Sequence, residues 1–246
     1  MNLTRLLMLA VFVPLIAAAG PNLNPPHGSA VYQPWSIFSP DVADPSDYKH
    51  NIVVYFHGFK SAVPNGTYKR LRKRLKKTHT VLGVNYDYLD PATTIKNLEQ
   101  FYETQLKGHQ LTVVGSSLGG LWADYFGSRF GAEKIVLLNP ISEPLKQLMK
   151  YADTEHMNVR RQLKLSVSRE QIMAYAALEQ EVNTKPKRFV ILAQDDKKLD
   201  FRVAQRRYEK KPGTQIKLYE KGGHTINLKK HPAILAIVAF VRGEEG

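Results

Sequence analysis

From His50 onward, short apolar runs alternate with stretches whose apolar residues recur at helical spacing. The runs Asn51–Phe56, Val81–Asn85, Leu111–Gly115, Lys134–Leu138, Arg188–Ala193 and Gln215–Tyr219 read as strands. Several are apolar throughout, as expected when a sheet is covered on both faces. Between them, Tyr68, Leu71 and Leu75 fall at i, i+3 and i+7. Ile95, Leu98 and Phe101-Tyr102 follow the same rule, and so do Phe201, Ala204 and Tyr208; each set predicts an amphipathic helix. Ser168 and Gln171 have the spacing of a capping box opening a helix through Ala177. The apolar stretch His231–Arg242 predicts a last helix lying flat on the sheet. This alternation argues for an α/β protein with a mostly parallel sheet and helices on both faces. The longest interval between strands, Ile141 to Lys187, is expected to be wholly helical, a small lid over the C-terminal strand ends where ligands bind in such sheets.

The chain before His50 follows other rules. Residues 1–19 run from a polar start with Arg5, through an apolar stretch from Leu6 to Ile16, to Ala17-Ala18-Ala19. That order predicts a secretory signal peptide, hence export to a periplasm or the exterior; an uncleaved leader would instead anchor the chain to a membrane. Residues 20–48 hold six of the fourteen prolines and predict a linker that becomes ordered near Val31–Phe38. The folded domain is then 49–246.

The motif that carries chemistry is Gly115-Ser116-Ser117-Leu118-Gly119, a G-x-S-x-G. It follows one predicted strand and opens a helix through about Arg129, the context of a nucleophile elbow. Gly115 and Gly119 are expected because the turn brings backbones too close for a Cβ. A serine nucleophile needs a base and an acid, in the chain order Ser, Asp/Glu, His. His224, in Lys221-Gly222-Gly223-His224-Thr225, follows the last strand and is the candidate base. The acid should follow the penultimate strand, where Asp195, Asp196 and Asp200 compete. Asp200 reads as the N-cap of the helix at Phe201. Asp196, in a D-x-x-L spacing, is favoured over Asp195. Developing negative charge on the substrate needs two N–H groups. Leu118 and Phe59 are the candidates for this oxyanion hole, with Gly58 allowing close approach. His57 is expected to shape that loop.

Taken together, these residues resemble the small bacterial esterases of the YqiA/YcfP type, within the α/β-hydrolase superfamily. The likeness runs from about Val53 to Gly243. It rests on His57-Gly58-Phe59 with Ser61, Val114 to Gly120, Asn139-Pro140 with Pro144, Leu199-Asp200-Phe201-Arg202 with Tyr208, and Gly222-Gly223-His224. The resemblance implies a reduced α/β-hydrolase fold beginning near the usual third strand. It also implies Ser117, Asp196 and His224 as the triad, and esterase activity on short esters and acyl thioesters. The leader and the proline-rich segment depart from that family, whose members act in the cytoplasm.

Composition narrows the chemistry. The chain has no cysteine, which excludes thiol nucleophiles, cysteine-ligated metals and disulfides. No H-E-x-x-H is present, so neither a metal nor a cofactor is expected. Lys and Arg number 35 against 22 Asp and Glu, a net charge of +13, which favours anionic partners. Seven of the nine residues Lys69–Lys77 are basic. They read as a solvated helix face or as a patch for an anionic membrane or polymer; nucleic acid is not an expected partner, since no recognition motif accompanies the charge. The expected function is hydrolysis of acyl esters or thioesters through an acyl-enzyme. The alternatives are an acyltransferase and a non-catalytic binding protein on the same scaffold.

Overall fold

The computed structural model describes residues 35–158, 163–179 and 186–244. The expected leader and the linker up to residue 34 lie outside the described residues. Seven strands form one sheet: β1 (Ser36–Phe38), β2 (Asn51–Phe56), β3 (Thr80–Asn85), β4 (Gln110–Ser116), β5 (Lys134–Leu138), β8 (Lys187–Ala193) and β9 (Thr214–Tyr219). Their order is β1-β3-β2-β4-β5-β8-β9. All neighbours are parallel except β1, which runs antiparallel along β3. Each of the six predicted strands is present within a residue of its expected start and end. β1 comes from the proline-rich stretch and sits at the sheet edge, where nearby prolines cost no ladder bonds.

The apolar runs are buried on both faces. Val53, Tyr55, Val136 and Ile191 pack towards α1 (Gly66–Leu75) and α7 (Ala233–Arg242). Ile52, Val54, Leu137 and Val190 face the opposite layer, built from α2 (Pro91–Phe101), α3 (Leu118–Arg129) and α6 (Phe201–Tyr208). α1 buries Tyr68, Leu71 and Leu75, the three positions its spacing predicts. α7 starts at Ala233, two residues later than expected, because the His231 ring accepts the Ala233 N–H and Pro232 stands at the cap. α3 and β8 are joined by a buried ion pair between Asp124 and Arg188 at 2.8 Å, with Lys211 on the second carboxylate oxygen, also at 2.8 Å.

The interval 141–187 departs from expectation. It is not wholly helical: α4 (Pro144–Leu148) and α5 (Arg169–Met173) flank an antiparallel hairpin of β6 (Glu155–Asn158) and β7 (Leu163–Ser166). The physical reason is the two-residue alternation Leu163-Lys164-Leu165-Ser166, which suits a strand and not a helix. The capping box at α5 has both its bonds, Gln171 N–H to Ser168 Oγ (3.2 Å) and Ser168 N–H to Gln171 Oε1 (2.8 Å). Among the described residues no helix is long and apolar enough to cross a membrane.

Candidate active site

The site lies at the C-terminal ends of β2, β4, β5 and β8. Between β4 and α3 the chain turns at Ser117, whose φ of 56° and ψ of −120° are rare for a non-glycine residue. Such a conformation persists only where its surroundings enforce it. Ser117 N–H donates to Leu138 O (2.9 Å), and Ser117 O accepts from Gly120 N (2.9 Å) and Ile141 N (3.0 Å). The flanking glycines are needed for contact: a Cβ on Gly115 would lie 2.0 Å from Gly119 O, and one on Gly119 would lie 2.2 Å from Phe56 O. Neither distance is tolerable for carbon against carbonyl oxygen, so α3 can approach β2 and β4 this closely only without side chains there.

The loop after β9 carries His224 to this turn. His224 Nε2 lies 3.0 Å from Ser117 Oγ, and its Nδ1 lies 2.8 Å from Asp196 Oδ2. The other Asp196 oxygen accepts the N–H groups of Lys198 (2.8 Å) and Leu199 (3.1 Å). The Asp196 side chain is 1% exposed. That burial pushes its carboxyl up, but the bonds from His224, Lys198 and Leu199 outweigh it and hold the group below the usual carboxylate value. Asp196 is therefore anionic at neutral pH and aligns the Nδ1–H of the imidazole, which leaves Nε2 to accept from the serine hydroxyl.

Asp195 has a different partner. Its Oδ1 accepts the Gly223 N–H at 2.7 Å and steadies the loop that carries the histidine. Asp200 caps α6 through the Arg202 N–H. The three neighbouring aspartates thus serve three separate tasks.

Gly58 faces the serine, since a Cβ there would stand 3.3 Å from Ser117 Cβ. The Gly58 carbonyl accepts from His57 Nδ1 (2.8 Å) and from Ser61 N (3.2 Å). A carbonyl can only accept, so the proton sits on His57 Nδ1. The His57 ring is fully buried and stacked on Tyr86 at 4.6 Å. In a planar trans peptide the N–H points opposite to the C=O. Pinning the Gly58 carbonyl therefore aims the Phe59 N–H the other way. Leu118, the first residue of α3, has its N–H at the helix start, where no intrahelical acceptor exists.

Asn139 was legible in the sequence only as part of a motif, without a task. It follows β5 with φ of 40° and ties the His224 loop to the end of β8 through three hydrogen bonds. A cleft of about 600 Å³ opens over Ser117 and His224, with Phe59, Ile141, Leu148 and Tyr151 among its walls. The interval 141–187 reaches it through Tyr151 and His156, whose rings lie 5.4 and 5.6 Å from Phe59, while Phe59 also packs edge-on to Tyr88 of the loop after β3 at 5.0 Å. Among the described residues no three His, Asp or Glu side chains come together as a metal site.

A family model described as the uncharacterised protein family UPF0227 matches residues 52–241. The chain belongs to this family. A UPF0227 protein of Shewanella woodyi (strain ATCC 51908 / MS32) is 29% identical over 105 residues, 42% of this chain and 58% of that protein, so the match spans less than two thirds of the relative's length. Among solved structures, Est1E from Butyrivibrio proteoclasticus matches with a TM-score of 0.61 at 11% identity, over 85% of this chain and 91% of that one. Alpha/beta hydrolase domain-containing protein 10 from mouse gives 0.60 at 12%, over 85% and 92%. A monoacylglycerol lipase of Paleococcus ferrophilus gives 0.59 at 15%, over 86% and 98%. At these identities the likeness is one of fold: this member of UPF0227 has the α/β-hydrolase fold.

Proposed function

We propose that this UPF0227 chain is a serine hydrolase of carboxylic esters, with Ser117 as nucleophile, His224 as base and Asp196 as the acid that orients it. The observation that carries this reading is the unbroken hydrogen-bonded line from Asp196 through His224 to Ser117 Oγ, built on a strained turn over an open cleft. Ser117 Oγ would attack the ester carbonyl carbon while its proton passes to His224 Nε2. The oxyanion that forms would take hydrogen bonds from the Leu118 and Phe59 N–H groups. Collapse of the tetrahedral species breaks the bond to the alcohol oxygen, which leaves with the proton from His224. Water then repeats the two steps on the acyl-enzyme and frees the acid. An ester substrate is also in keeping with the fold neighbour named as a monoacylglycerol lipase. The signal-like order of residues 1–19, an Arg, an apolar stretch and three alanines, supports action outside the cytoplasm.

The test is fluorophosphonate labelling with peptide mapping, beside turnover of a p-nitrophenyl ester series by the wild type and Ser117→Ala. Labelling at Ser117 and loss of turnover in the variant are expected. A folded wild type that neither labels nor turns over any ester would overturn the reading.

A further inference from the structure

The walls of the cleft carry an unbalanced charge. Lys60 follows β2, Arg70 projects from α1, Lys198 belongs to the loop after β8 and Lys229 follows the His224 loop; all four line the cleft. Among the described residues no carboxylate lines it. The two aspartates after β8 are turned elsewhere, Asp195 to Gly223 N–H and Asp196 to His224. Cations on other surfaces of this protein do find carboxylates. Arg72 pairs with Asp41, Lys107 with Glu103 and Arg169 with Asp153. Among the described residues none lies within ion-pair distance of the four cleft cations.

Two of these charges, Lys60 and Lys198, stand close enough to act on each other. The Lys60 ammonium is held below its ordinary value, first by burial and second by the positive charge of Lys198. Lys60 Nζ stands 5.4 Å from the Phe59 ring centre and 5.7 Å from that of Tyr151, which keeps it at the cleft wall beside the serine turn. Lys198 is fixed through its backbone, its carbonyl accepting from Lys150 and its N–H donating to Asp196. Four elements of the fold therefore bring like charges to the walls of one cleft, where an anion would be attracted. A guanidinium with several ammonium groups suits the terminal oxygens of a phosphate, which accept from several donors at once.

The geometry points to a substrate that is itself an anion: an ester bearing a phosphate group, held by Lys60, Arg70, Lys198 and Lys229 while Ser117 reaches its carbonyl carbon. This rests on the ester-hydrolase reading above and names its substrate class. The basic run on α1 then has a divided role, with Arg70 turned to the cleft and Arg72 tied to Asp41.

The experiment compares 1-butyrylglycerol with 1-butyrylglycerol 3-phosphate, and measures calorimetric binding of glycerol 3-phosphate to Ser117→Ala. We expect kcat/KM to be about tenfold higher for the phosphate ester at low salt, with the advantage falling as salt is added. Lys198→Met with Lys229→Met should bring the ratio of the two esters towards one and weaken glycerol 3-phosphate binding when combined with Ser117→Ala. Lys96→Met, on the exposed side of α2, should keep the wild-type ratio and serves as the charge control. Equal turnover of both esters with no binding of glycerol 3-phosphate would overturn the anion inference and leave the hydrolase reading standing. No turnover of either, with binding that the double variant loses, would support the anion site and overturn the hydrolase reading. Equal preference for the butyryl ester of glycolate would overturn the phosphate assignment. Inorganic phosphate binding as tightly as glycerol 3-phosphate would mark a free-phosphate site and overturn the substrate assignment.

Discussion

Asn139 donates its side-chain amide to the carbonyl oxygens of Gly223 and His224, at 2.9 and 3.0 Å, and so fixes the backbone of the residue whose ring meets Ser117. Its own Oδ1 accepts the Ala193 N–H at 2.8 Å, just before the aspartates. One buried amide therefore sets the distance between the two sides of the His224–Asp196 bond. Asn139→Leu should lower kcat about a hundredfold with a smaller change in KM, because misplacing the imidazole by about 1 Å costs that much. Asn139→Asp should be no better, since a carboxylate oxygen would face two carbonyl oxygens. Steady-state kinetics on one neutral ester measures both, and wild-type kcat in either variant would refute the role.

Asp196 and Asp195 are adjacent, yet their losses should differ by orders of magnitude. Asp196→Asn removes the anion that orients and stabilises the imidazole, for an expected fall in kcat of about 10⁴-fold. Asp195→Asn removes a charged acceptor from one loop N–H, for a fall of about tenfold. The pair of kcat values, taken on equally folded proteins, decides the assignment. A larger loss at Asp195 would reverse it.

Two glycines should respond to alanine with opposite sign. Gly119→Ala drives a Cβ to 2.2 Å from Phe56 O and 2.5 Å from His57 O, both backbone atoms that cannot step aside, and should cost about 3 kcal/mol or more. Gly66→Ala, at the first position of α1, meets nothing within 4 Å and should stabilise by about 0.5 kcal/mol through the unfolded chain. Urea unfolding midpoints measure both shifts.

Asp124→Asn should destabilise by about 3 to 5 kcal/mol, because it leaves Arg188, 6% exposed, without its counter-charge. Burial pushes the Asp124 carboxyl up, but the charges of Lys211 and Arg188 prevail and hold it below its ordinary 3.8. A depressed folded value stabilises the fold above the unfolded value, and that contribution fades as the pH falls below about 3.8. The stability gap between wild type and Asp124→Asn should therefore be full near neutrality and shrink in acid. A gap independent of pH down to 3 would show that the ion pair does not carry it.

Much of this was legible in the residues. The apolar runs predict β2, β3, β4, β5 and β8 because strands covered on both faces cannot hide among polar positions, while β9, at the sheet edge and half-exposed, shows only as a short run of β-formers. Ser117 stands out because only a strand-to-helix turn explains both its glycines. The choice between Asp195 and Asp196 was not in the spacing alone. It depends on how the chain turns after Ala193, and the two side chains of such a turn point to different partners. The hairpin within 141–187 was hidden by length, since each of its strands has four residues, too few for a two-residue alternation to stand out in so long an interval. The four cleft cations were invisible as a group. Lys60, Arg70, Lys198 and Lys229 are far apart in the chain, and only the fold gathers them.

Phe59 sits between the 141–187 interval and the Ser117 turn, with its ring against Tyr88, Tyr151 and His156. Those rings restrain the Phe59 side chain, while the bonds to the Gly58 carbonyl orient the peptide itself. A ligand too long for this space must lift Tyr151 and His156, and in doing so it loosens the side chain beside the N–H that would receive the oxyanion. Such molecules would occupy the cleft without being processed. Size selection in this protein would then show itself as inhibition by overlong esters, with tight binding and little turnover, instead of as simple exclusion at the entrance.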